Sequence, residues 1–111
     1  MSESPYPKLT REMAEKRRDL APDADEAFRQ FSQAVFKDGA LSRKTKQLIA
    51  VAVAHVTQCP YCIQGHTKAA VREGASQEEI MEAIWVAAEM RAGGAFAHSA
   101  IALHALDDQG T

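Results

Sequence analysis

The sequence predicts an all-α fold, a compact bundle of about six helices. Helix start signals recur along the chain, at Thr10, Ser42, Cys59–Pro60 and Ser76. Between them apolar residues fall at three- and four-residue spacing, with no strand-like alternation between hairpin turns. Breakers such as Pro22, Gly39 and Gly74 stand where one helix should give way to the next.

Residues 1–8 carry Pro5 and Pro7 and read as an irregular arm. A charged first helix should run from the N-cap Thr10 to about Leu20, ahead of Pro22. "DADEAFRQFSQAVFKDG" places Phe28, Phe31, Val35 and Phe36 on one helical face, with Gly39 as its stop. Ser42 suits the N-cap of "RKTKQLIAVAVAHV", whose cationic first turn runs against the helix dipole. Cys59 at the N-cap and Pro60 at the first position should open a fourth helix that closes at Gly74. Ser76 and Glu79 form a capping box for "QEEIMEAIWVAAEMR", in which Ile80, Ile84, Trp85 and Ala88 read as core. Gly93–Gly94 should interrupt that helix, and "AFAHSAIALHAL" makes the last one before a polar tail. The whole of 1–111 reads as a single domain, with its densest signals over 41–106.

Composition excludes more than it selects. The 111 residues are 46% hydrophobic and 25% charged, ordinary for a globular chain. A net charge of −2 offers no basic face for nucleic acid. "MSESPYPKLTREMAEKRRDL" lacks the apolar segment of a signal peptide, and no run suffices to cross a bilayer, so no membrane partner and a cytoplasmic location are expected. "LIAVAVAHV" is apolar on nearly every side, and alanines crowd 83–105. Helices of that kind need neighbours all round, which six short helices cannot supply alone, so a homo-oligomer is expected.

The chemistry concentrates in "AHVTQCPYCIQGHTKAAVREG". Cys59 and Cys62 are the only cysteines, and His66 follows four residues later. Zinc would need four converging ligands. His55, Cys59, Cys62 and His66 would spread over ~16 Å of one continuous helix, so convergence requires a chain break near Pro60. A structural disulfide is sterically possible, yet closing so short a loop stabilises little. A redox pair is the favoured reading. Unsatisfied N–H groups at a helix start and an imidazole one turn along can both favour a thiolate, and Cys59 stands close enough to resolve an oxidised Cys62, or the reverse. Tyr61, between the cysteines, reads as a possible substrate-side residue. His98 and His104 read as packing or surface histidines.

Residues 41–88, with C-x-x-C-x3-H after an apolar helix and before "GASQEE", resemble the carboxymuconolactone decarboxylase-like superfamily, specifically its alkylhydroperoxidase D (AhpD)-like branch. "EMRAGGAFAHSAIALHAL" is similar to the last helices of that family. The resemblance implies a homo-oligomer, trimer or hexamer, and a thiol-dependent hydroperoxide reductase without metal or other cofactor. It implies that Cys62 attacks peroxide, Cys59 closes the disulfide, and His66 serves a proton relay. It also implies a lipoylated or thioredoxin-like protein as reductant. The family's relay commonly has glutamate twelve positions before the first cysteine, where this chain has Gln47. Gln47 can orient a histidine or a water but cannot carry a proton, and Glu26 is the substitute carboxylate candidate. Three alternatives stand beside this expectation: a disulfide reductase with little peroxidase activity, a redox-sensing oligomer without catalysis, and a decarboxylase-type enzyme on the same scaffold.

Overall fold

The computed structural model describes residues 5–108, so residues 1–4 of the expected arm and 109–111 of the polar tail lie outside the described residues. Among the described residues there are six helices and no strand: α1 (Arg11–Leu20), α2 (Pro22–Phe36), α3 (Arg43–Thr57), α4 (Pro60–Arg72), α5 (Gln77–Ala97) and α6 (Ser99–Asp107). None of the described helices is long and apolar enough to cross a membrane. The chain divides into two compact units, 1–40 and 41–111.

In the first unit, residues 5–10 precede α1 without helix, and the Thr10 hydroxyl accepts the Met13 N–H at 3.1 Å to start it. Ala21 breaks the path and Pro22 starts α2 at N1, where its missing N–H costs nothing. Gly39 was expected to stop α2, but Lys37 is already extended (φ −69°, ψ 158°) and the helix closes at Phe36. The extended ψ at Lys37 turns the next amide away from the helix axis, so the glycine is not needed as terminator. Phe28 and Phe31 lie with ring centroids 6.3 Å apart, and both are largely exposed.

The second unit is built around α3, which packs against both α4 and α5. Ser42 caps α3 through the Thr45 N–H at 3.1 Å, as its sequence suggests. Val51, fully buried on α3, meets Ala70, Ala75 and Ile80, with Leu48 and Ile84 packed against them. The core is small because its members are small: alanines let the helix backbones approach closely. Two backbone bonds close α4. The Ala75 N–H bonds the Ala70 carbonyl at 2.9 Å and the Gly74 N–H bonds that of Val71 at 3.0 Å. This paired pattern needs a left-handed residue, supplied by Gly74 at φ +94°.

Two sequence expectations fail in α5. Gly93–Gly94 do not interrupt it; α5 runs through both to Ala97, and the chain turns at His98. Glycine in a helix costs only about 1 kcal/mol against alanine, which flanking helical hydrogen bonds overcome. Trp85 is not core: it is 66% exposed, on the side of α5 opposite buried Ile80 and Ala87. Ala88 is exposed as well. The single face of α5 that α3 covers is narrower than its apolar surface.

Candidate functional site

The site begins where α3 ends. Gln58 takes the left-handed conformation (φ 58°), and the Cys59 N–H bonds back to the Ala54 carbonyl at 3.2 Å. Left-handed backbone is unfavourable for a residue with a Cβ, and such strain gathers at functional sites. The reversal delivers Cys59 in extended conformation (φ −97°, ψ 104°) to the N-cap of α4, with Pro60 at N1.

From that position the Cys59 sulfur accepts the Cys62 N–H at 3.3 Å, the bond an N-cap side chain makes to the third helical residue. The two sulfurs share a hydrogen bond at 2.8 Å, well outside the length of a disulfide, and both are half-buried free thiols. The Cys62 side chain beside it, then the N–H groups of Cys62 and Tyr61, lower the Cys59 pKa against an opposing effect of burial. Cys62 is pushed up, first by the same shared bond, then by burial and by the charge of Cys59. The two directions are linked through the one hydrogen bond that the sulfurs share, so the thiols titrate as a pair.

His66 stands one turn beyond Cys62 on α4, half-buried. Its Nδ1 lies 2.7 Å from Oε1 of Gln47 on α3. An amide oxygen only accepts, so Nδ1 carries the hydrogen of this bond. Position 47 thus touches the histidine through an uncharged acceptor.

Other candidates are less engaged. Glu26, in the first unit, is exposed and accepts from Gln30 Nε2 on its own helix at 3.1 Å. His55 turns its Nδ1 to the Val51 carbonyl at 2.8 Å. Tyr61 is half-buried at the second position of α4, and His98 and His104 are exposed. Among the described residues no group of three His, Cys, Asp or Glu is placed to hold a metal ion. The structure brings Cys59, Cys62, His66 and Gln47 to the start of α4 and the facing turn of α3, and leaves Glu26 on its own helix in the other unit.

Fold and site define an all-helical dithiol protein whose C-x-x-C pair caps a helix beside a histidine. The chain belongs to the carboxymuconolactone decarboxylase family, whose pattern it matches over residues 22–105. It is 59% identical over 108 residues to "Uncharacterized protein 4 in cox locus" of Paracoccus denitrificans, spanning 97% of this chain and 96% of that one. The crystal structure of a carboxymuconolactone decarboxylase family protein from Legionella pneumophila superposes with a TM-score of 0.67 at 38% identity, covering 86% of each chain. A Methanobacterium thermoautotrophicum protein superposes with a TM-score of 0.71 at 34% identity, over 75% of this chain and 93% of that one.

Proposed function

We propose that this chain is a thiol-dependent hydroperoxide reductase of the AhpD-like branch. The observation that carries the reading is the free dithiol at the start of α4, its sulfurs 2.8 Å apart. A thiolate of the pair attacks the outer peroxide oxygen and becomes a sulfenic acid, and the other sulfur displaces hydroxide to close a disulfide. The hydroperoxide leaves as alcohol and water. An external dithiol, from a lipoylated or thioredoxin-like protein, restores both thiols by exchange. Such recycling requires a reducing compartment, the cytoplasm in this reading.

Reduced protein with dihydrolipoamide or dithiothreitol should consume hydroperoxide, and Cys59→Ser and Cys62→Ser should each abolish steady turnover. Undiminished turnover in either variant would remove the dithiol from the mechanism.

A second reading, disulfide reduction with little peroxidase activity, is favoured by Gln47. Peroxide cleavage expels an alkoxide that needs a proton, whereas disulfide exchange expels a thiolate that does not. An amide behind His66 supplies no proton. Comparing turnover of a hydroperoxide with that of a small disulfide separates the two.

The working form in this reading is a homo-oligomer, a trimer or hexamer. Exposed Trp85, Val86, Met90 and Phe96 on α5, with Ile101 and Leu103 on α6, support it.

A further inference from the structure

The peroxide reading needs two things from the site: a thiolate to attack, and a proton for the departing alkoxide. His66 commits its Nδ1–H to Oε1 of Gln47 at 2.7 Å, and position 47 holds an amide where a relay would use a carboxylate. The two sulfurs, 2.8 Å apart, share a proton of their own.

Attack by Cys62 would run against the local geometry. Cys59 sits at the N-cap, and its sulfur receives the Cys62 N–H at 3.3 Å as well as the shared bond at 2.8 Å. Cys62, at the third helical position, is the donor of that amide bond. Negative charge is favoured at the end of the helix where N–H groups are unsatisfied, and here those groups aim at Cys59. The opposite directions of the two cysteines' pKa shifts agree with this polarity.

We infer that Cys59 is the attacking sulfur in this chain and that Cys62 acts first as the proton donor and then as the resolving thiolate, an inversion of the roles implied by family resemblance. The inference rests on the hydroperoxide-reductase reading and specifies its catalytic groups. The Cys59 thiolate bonds to the outer oxygen of ROOH as the O–O bond breaks. The Cys62 S–H gives its proton to the leaving alkoxide, so ROH departs and Cys62 becomes a thiolate beside the Cys59 sulfenic acid. Cys62 then attacks the Cys59 sulfur, forming the disulfide and expelling hydroxide. One thiolate, one thiol and ROOH thus become one disulfide, ROH and hydroxide, with the peroxide accepting two electrons. The proton that stabilises the resting charge is the one the leaving group needs, so a site without the relay carboxylate can still turn over.

Reduced wild-type protein, treated at neutral pH with less than one equivalent of iodoacetamide and mapped by fragmentation mass spectrometry, should be labelled at Cys59 over Cys62 by about tenfold or more. Hydrogen peroxide with dimedone, a trap for sulfenic acid, should then mark Cys59 in Cys62→Ser, where the serine hydroxyl keeps a donor beside the sulfur. In Cys59→Ser, Cys62 should be marked at least about tenfold more slowly. Equal labelling, or preference for Cys62 in both experiments, overturns the inversion while leaving a dithiol peroxidase standing. Preferred labelling of Cys59 in a wild-type protein that consumes no hydroperoxide upholds the polarity and overturns the peroxidase reading.

Discussion

His66 on α4 donates from Nδ1 to the side-chain oxygen of Gln47 on α3, 2.7 Å away and nineteen residues earlier in the chain. This bond fixes the imidazole's tautomer and ties the helix that carries the dithiol to the helix at the centre of its unit. Gln47→Ala should therefore lose the tautomer preference in ¹⁵N spectra of the ring and destabilise the fold by about 1 kcal/mol, the worth of one hydrogen bond. Gln47→Glu keeps the acceptor and should retain the tautomer. A Gln47→Ala protein with wild-type spectrum and stability would show that the contact does not orient the ring.

The pH dependence follows from the lowered pKa of Cys59, caused first by the Cys62 side chain and then by the N–H groups of the helix start. A depressed thiol pKa means that the thiolate survives acidification and is lost only as pH falls through that depressed value. The rate of iodoacetamide reaction with Cys59 should thus inflect below the ordinary thiol value of about 8.5. Inflection at or above that value would contradict the stabilised thiolate.

Stability should answer to the core and to caps unequally. Val51 is fully buried, so Val51→Ala loses transfer energy and leaves a cavity, together about 2 kcal/mol. Ser76→Ala removes the hydroxyl that caps α5 at 3.0 Å from the Glu79 N–H, at a cost of about 1 kcal/mol. Urea unfolding should rank the two in that order, and the reverse order would mean that the α3–α5 contact is not the core of the unit.

Lys44 on α3 and Glu79 on α5 meet at 2.7 Å near the surface. Lys44 first, then the Ser76 N–H, holds the Glu79 carboxyl below its usual pKa. A carboxyl whose folded pKa is depressed stabilises above its unfolded value of about 4.3, and that contribution disappears as pH falls through the folded value. The melting-temperature gap between wild type and Lys44→Ala should be small at pH 7, as for most surface pairs, and should close in the acid range. A gap that survives full protonation of the carboxyl would have to come from packing of the lysine stem.

Trp85 tests assembly. It is 66% exposed in one chain and sits among other exposed apolar residues of α5. Light scattering at micromolar concentration should give the wild type a mass several times the 12.1 kDa of one chain, and Trp85→Lys should reduce it. A wild-type mass equal to one chain would leave the apolar faces of α5 and α6 without the proposed partner.

Local signals determined much of this protein. Thr10, Ser42, Cys59–Pro60 and Ser76 each announce a helix because a cap acts on the first turn alone, and all four helices begin where those residues stand. The dithiol and His66 were legible for the same reason: three positions within eight residues of one helix have fixed spacing whatever else the chain does. Tertiary structure decided the rest. The Gln47–His66 bond spans two helices, so only their packing could create it. Trp85 and Ala88 read as core by periodicity, yet burial depends on which face a neighbour covers, and α3 covers the other. Which sulfur attacks is likewise a three-dimensional question, because it depends on where N–H groups point and how far apart two sulfur atoms come to rest.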